Sequence, residues 1–106
     1  MARPFSKITS RDEFFVTLER THARLAEESA RTPEYDLWPL MLRQLDAMRE
    51  WTAGGREPSA EERERVTVGT LAARELDTVD DAALASLGQD LSELQYFFQV
   101  HYPDVA

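Results

Sequence analysis

Between residues 84 and 98 the apolar side chains Leu84, Leu87, Leu91, Leu94 and Phe98 recur at steps of three, four, three and four. That spacing keeps them on one face of an α-helix. It predicts a helix over about 80–101 that stops before Pro103. Over two heptads a 3–4 step suits the seam of a helix bundle and is too short for a long coiled coil.

Three earlier segments read the same way. Ser10, with Glu13 three residues on, is a capping-box pattern. Phe14, Phe15, Leu18 and Leu25 follow at helical spacing, with Ala26 beside them and His22 at the edge of the stripe. This first helix is expected over about 11–30, and Pro33 disfavours helix at Thr32. A second helix restarts near Asp36 as N-cap, with Pro39 in its first turn, where no intrahelical N–H bond is lost. Leu37, Leu40, Met41, Leu45, Met48 and Trp51 form its inward stripe, and Gly54-Gly55 closes it. The third helix starts at Pro58-Ser59, where Glu62 completes another capping box, and runs to Asp77-Thr78. Its face of Val66, Gly69, Ala72, Ala73 and Leu76 is unusually small. A mid-helix glycine costs about 1 kcal/mol against alanine, so Gly69 implies close approach by another helix or by a partner. Short connections favour antiparallel neighbours. The expected fold is all-α: a small antiparallel bundle of about four helices in one domain, 1–106, with residues 1–9 frayed.

A chain of 106 residues buries roughly two thirds of its unfolded surface and needs no disulfide or metal to fold. The absence of Cys excludes a disulfide scaffold, a thiol nucleophile, a thiolate zinc site and an iron–sulfur cluster. It also fits the cytoplasm. Met1 to Ser10 carries no apolar core of signal-peptide type, and no apolar run approaches membrane-spanning length, so no membrane association is expected. The net charge of −8 argues against nucleic acid. That charge is lopsided: residues 1–74 hold 13 acidic and 12 basic side chains, whereas residues 75–106 hold seven acidic ones and no Lys or Arg. Such a field raises the on-rate of a basic partner, or else is a solvated face that aids solubility.

Nothing in the pattern suggests catalysis, a cofactor or a metal. His22 and His101 are far apart and in no ligand motif, and the single lysine, Lys7, lies in the frayed N-terminus. Gly54-Gly55 follows a helix and precedes no P-loop Lys. The carboxylate pairs Glu27-Glu28, Glu61-Glu62 and Asp80-Asp81 are adjacent, and neighbours on a helix do not face each other. The chain is therefore expected not to be an enzyme. Trp38, Trp51, Tyr96 and Phe97 exceed what one stripe needs, and consecutive Phe97 and Phe98 imply that at least one lies at the core margin.

The junction Arg74 to Asp81 stands out. Glu75 and Asp77 fall in the last turn of the third helix, where the dipole disfavours carboxylates by about 0.3–1 kcal/mol. Capping of the last helix by Asp77 or Thr78, with Asp80 and Asp81 at its N-terminal dipole, accounts for the aspartates and poorly for Glu75. The alternative is an acidic knuckle that holds Arg or Lys of a partner.

At this junction the chain resembles a family of helical immunity proteins from bacterial type VI secretion systems. Arg65, Thr67, Gly69, Ala72, Glu75 and Asp77 match the central motif of that family, and Pro33, Tyr35, Asp36, Gln44-Leu45 and Arg49 match upstream without a gap. The likeness covers about residues 33–81; the last helix and the stretch to Ser10 diverge from the family pattern. The resemblance implies a helical protein that binds an effector toxin domain and covers its active site, the toxin being one that degrades NAD(P)⁺ or otherwise targets nucleotides. For such a partner the expected toxin contacts are Tyr35, Asp36, Thr67, Glu75, Asp77, Asp80 and Asp81. The acids from Glu75 on steer and anchor, Tyr35 or an exposed aromatic of the last helix is the apolar anchor, and Thr67 is either a surface contact or a packed helix residue. The expected partner is a basic, nucleotide-binding toxin surface. The competing reading is a structural homo-oligomer or adaptor that self-associates through the last-helix seam.

Overall fold

A computed structural model describes residue 8 and residues 10–76 and 82–101. Among these the helices are α1 (Arg11–Arg31), α2 (Leu37–Thr52), α3 (Ala60–Arg65), α4 (Val68–Glu75) and α5 (Ala82–Tyr96). A short 3-10 turn, Ala53–Gly55, follows α2, and α5 widens into a π turn over Phe97–His101. No strand occurs among the described residues.

Cross-helix contacts set the directions. Glu19 and His22 of α1 pair with Arg49 and Asp46 of α2, so these helices run antiparallel. Arg20 faces Asp90 and Arg24 reaches the Ala83 carbonyl, which sets α5 antiparallel to α1. Gly69 lies against Ser92 and Gln95, and Leu76 against Gly88, so α4 is antiparallel to α5 as well. The small all-α bundle is the fold expected from the sequence.

Local signals explain most boundaries. Ser10 Oγ accepts from the Glu13 N–H at 3.1 Å, and Ser59 with Glu62 forms the complete reciprocal box. Gly54 and Gly55 end α2 at φ of 65° and 83°, a region costly for any residue with a Cβ. Asp36 departs from expectation. It occupies the N-cap position with helical backbone angles, φ −65° and ψ −17°, and its carboxylate makes no capping bond. A capping side chain needs extended backbone to reach back to the first turn.

The largest correction concerns the third helix, which is two helices. Val66 is extended at φ −82° and ψ 113°, and the chain turns through Thr67 before α4 begins. Three consecutive β-branched residues, Val66-Thr67-Val68, weaken helix here. Three glutamine side chains then meet the backbone groups that the break releases. Gln44 Oε1 accepts from the Thr67 N–H at 2.7 Å. Gln95 Oε1 accepts from Gly69 and Thr70 at 2.7 and 3.0 Å, which caps α4 from another helix. Gln99 Nε2 donates to the Arg63 and Val66 carbonyls, both at 2.9 Å.

The core holds Phe14, Leu18, Leu25, Met41, Leu45, Met48, Val68, Leu87, Leu91, Leu94 and Phe98 at zero exposure. Gly69 serves close helix packing, since a Cβ there would lie 2.8 Å from the Ser92 Cα. Several stripes shift in detail. Trp38 is buried where Leu40 points outward; Thr17 and Thr21 are buried on α1 where Ala26 is exposed; Val68 is buried on α4 where Ala73 is exposed. Phe97 and Phe98 are both buried, contrary to expectation. The π turn narrows the angle between them, and Phe14 stacks on both at 5.3 and 6.3 Å while Trp51 flanks Phe98 at 6.3 Å.

Candidate functional site

The turn between α1 and α2 is held at both ends. The Tyr35 N–H donates to the Thr32 carbonyl at 3.1 Å, and the Trp38 N–H donates to the Tyr35 carbonyl at 3.4 Å. The Tyr35 ring stands edge-on to Trp38, with centroids 5.0 Å apart and planes at 76°. Trp38 is buried and Tyr35 half-buried, so the indole braces a ring that still reaches the surface.

Glu75 is the last residue of α4, which runs antiparallel to α2 and so ends at the same end of the bundle as this turn. Burial, first, and the Glu75 carboxylate, second, push the Tyr35 hydroxyl above its ordinary pKa of 10.0. The Glu75 carboxylate thus acts on Tyr35 electrostatically although 40 positions separate them. Glu34 and Asp36 flank Tyr35, and all three carboxylates are exposed. Three expected contacts, Asp77, Asp80 and Asp81, lie outside the described residues, as does the expected cap at Asp77 or Thr78.

Thr67 stands apart. It opens α4, whose eight residues put it about 12 Å from Glu75 along the axis. Its N–H and hydroxyl are both taken up by Gln44. Other residues of the motif prove architectural too. Arg49 is bidentate to Glu19 at 2.6 and 2.8 Å, and Gly69 and Ala72 pack on α5. Arg65 bonds Glu61 one turn away.

Charge is also distributed differently from the linear count. Asp90 and Glu93, two of the seven acids after residue 74, are 5% and 2% exposed and belong to the interior. Along the sides of the bundle, arginines pair with Glu19, Glu28, Asp46, Glu57, Glu61 and Glu62. None of the described ion pairs uses Glu34, Asp36 or Glu75.

Sequence reasoning missed Gln44, Gln95 and Gln99 as the groups that shape α4. The β-branched run Val66-Thr67-Val68 was the available signal.

A groove of about 360 Å³ between α4 and α5 is lined by Ala72, Ala73, Leu76, Ala85, Gly88, Gln89 and Ser92. Among the described residues none that lines it is ionisable, and no group of His, Asp and Glu is arranged for a metal. No described helix is long and apolar enough to cross a membrane. The last-helix seam is consumed internally: Leu87, Leu91 and Leu94 are fully buried within this one chain.

Comparison with known proteins gives one family: the model of the Tsi6 family matches residues 9–99. No curated protein and no solved structure matches.

Proposed function

We propose, because the chain belongs to the Tsi6 family of type VI secretion immunity proteins, that it binds one cognate effector toxin domain and silences it by covering the active site. It acts without chemistry of its own, in the cytoplasm of the cell that makes the toxin. The favoured toxin degrades NAD(P)⁺ or another nucleotide. An enzyme that binds anionic nucleotides presents basic groups around its pocket, and an acidic inhibitor surface complements them.

The observation that supports this reading is the exposed turn Glu34-Tyr35-Asp36, whose ring is braced by Trp38 and whose carboxylates enter none of the described ion pairs. Interface anchors are typically aromatic groups held in place before binding, ringed by polar groups. Asp36 adds a carboxylate at the same turn, and Asp77, Asp80 and Asp81 join the contact in this reading on the sequence alone; Thr67 supports it by fixing where α4 starts. The homo-oligomer reading loses its basis, since its seam lies inside the bundle.

The test is calorimetric titration of the chain with the toxin domain encoded by the adjacent reading frame. A one-to-one complex that weakens as salt rises is expected; absence of a complex at low salt overturns the reading.

A further inference from the structure

In α2 the side chains of Trp38, Met41, Leu45, Met48 and Thr52 are buried in the bundle, so the opposite side of the helix faces solvent. That side carries Asp36, Pro39, Leu40 and Arg43, all exposed. Asp36 has helical backbone angles and makes no capping bond, so it continues the helix backwards by one residue. Leu40 and Arg43, four and seven positions on, then share its stripe. Leu40 is 39% exposed, and what sets it apart from exposed Val16 and Val100 is what flanks it. Arg31, Arg49, Arg56, Arg63 and Arg65 are each paired with a carboxylate. Asp36 and Arg43 enter none of the described ion pairs or hydrogen bonds.

The order along the stripe is acid, two apolar residues, base, with the charges about 10 Å apart. That order is complementary to itself. A second α2 laid antiparallel on the first, about a two-fold axis passing between Pro39 and Leu40, sets each acid opposite a base and Leu40 on Leu40. A parallel pairing in register would set like charges together. We propose that this face of α2 is a two-fold interface with a second copy of this chain, in which Asp36 of each protomer pairs with the partner's Arg43 around the two leucines. The face is separate from the α5 seam, which lies inside the bundle, and the proposal does not rest on the immunity reading. One helix face with a single leucine makes a small interface, so the dimer is weak and sensitive to salt.

Sedimentation velocity of the full chain, at concentrations up to about 1 mM, tests it. Wild type should pass from monomer to dimer as concentration rises, and salt should oppose this. Asp36→Arg and Arg43→Asp each set like charges opposite one another and should weaken the dimer at least about tenfold. An equimolar mixture of the two variants restores opposite charges at both contacts, so a heterodimer should form about as well as the wild-type dimer; the double variant should self-associate likewise. Circular dichroism melts check that each variant is folded, and the milder Asp36→Asn and Arg43→Gln should weaken the dimer in the same direction. A wild type that stays monomeric throughout overturns the proposal. So does a dimer indifferent to the single changes, or a loss that neither the mixture nor the double variant repairs. Each of these failures leaves toxin binding, and with it the immunity reading, untouched.

Discussion

The side-chain amide of Gln44 grips Thr67 at two points, accepting from its backbone N–H at 2.7 Å and donating to its hydroxyl at 2.9 Å. The pair joins α2 to the first residue before α4. It therefore helps to set where α4 begins and, eight residues on, where Glu75 emerges at its end. Gln44→Leu removes both bonds. Because Thr67 is exposed and water can replace part of what is lost, the expected cost is about 1–2 kcal/mol. Urea unfolding checks it; an unchanged midpoint would show that the break is held by Gln95 and Gln99 alone.

The two helical glycines should respond oppositely to alanine. At Gly69 the new Cβ would meet the Ser92 Cα at 2.8 Å, a backbone atom that moves only if α4 and α5 separate. Overpacking of this kind costs about 1–3 kcal/mol, more than the gain of about 1 kcal/mol in helix propensity. At Gly88 the nearest atom, the Leu76 Cβ, is 3.5 Å away, which is ordinary contact. Gly88→Ala is therefore expected to stabilise by up to about 1 kcal/mol. Thermal melts of the two variants give the signs.

Glu62 ties the start of α3 to the turn before it. Its carboxylate accepts from Arg56 and from the Ser59 N–H, both at 2.9 Å, and these bonds hold its pKa below the ordinary carboxylate value. A lowered folded-state pKa contributes stability that is present above the unfolded value and lost as pH falls through the folded one. The stability gap between wild type and Glu62→Gln should thus be open near neutrality and close with acid. A gap independent of pH in urea titrations would contradict this.

Tyr35 carries the opposite sign. Its raised pKa means that the fold favours the neutral phenol, so this stability is complete below 10.0 and is lost as pH rises through the folded value. Glu75→Gln removes the smaller of the two causes. The phenol should then ionise at lower pH than in wild type, yet still above its ordinary value, because burial remains. Ultraviolet titration, with Tyr35→Phe as the blank for Tyr96 and Tyr102, reads the shift. No movement on Glu75→Gln would separate the two residues in solution.

What the sequence disclosed was local. The serine caps, the closing glycines, the Gly69 approach and the seam of α5 each depend on residues within a turn or two of one another. The break at Thr67 was hidden because the bonds that stabilise it span 23 to 36 positions, from α2, α5 and the π turn. The burial of Asp90 and Glu93 was hidden likewise, since a one-dimensional charge count cannot tell an interior carboxylate from a surface one. At the candidate site, Tyr35, Asp36 and Glu75 were marked individually. Their common end follows from the antiparallel path of α2 and α4, which only the fold displays. Phe97 and Phe98 were set aside by burial, whereas Tyr96, like Tyr35, stays half-buried.

The central claim is occlusion of a toxin by this chain, and turnover of the adjacent-frame toxin domain on NAD⁺ or another nucleotide substrate tests it most directly. Activity measured against rising amounts of the wild-type chain should fall in a straight line to zero at one equivalent. Full toxin activity at a several-fold excess of folded chain would contradict the account.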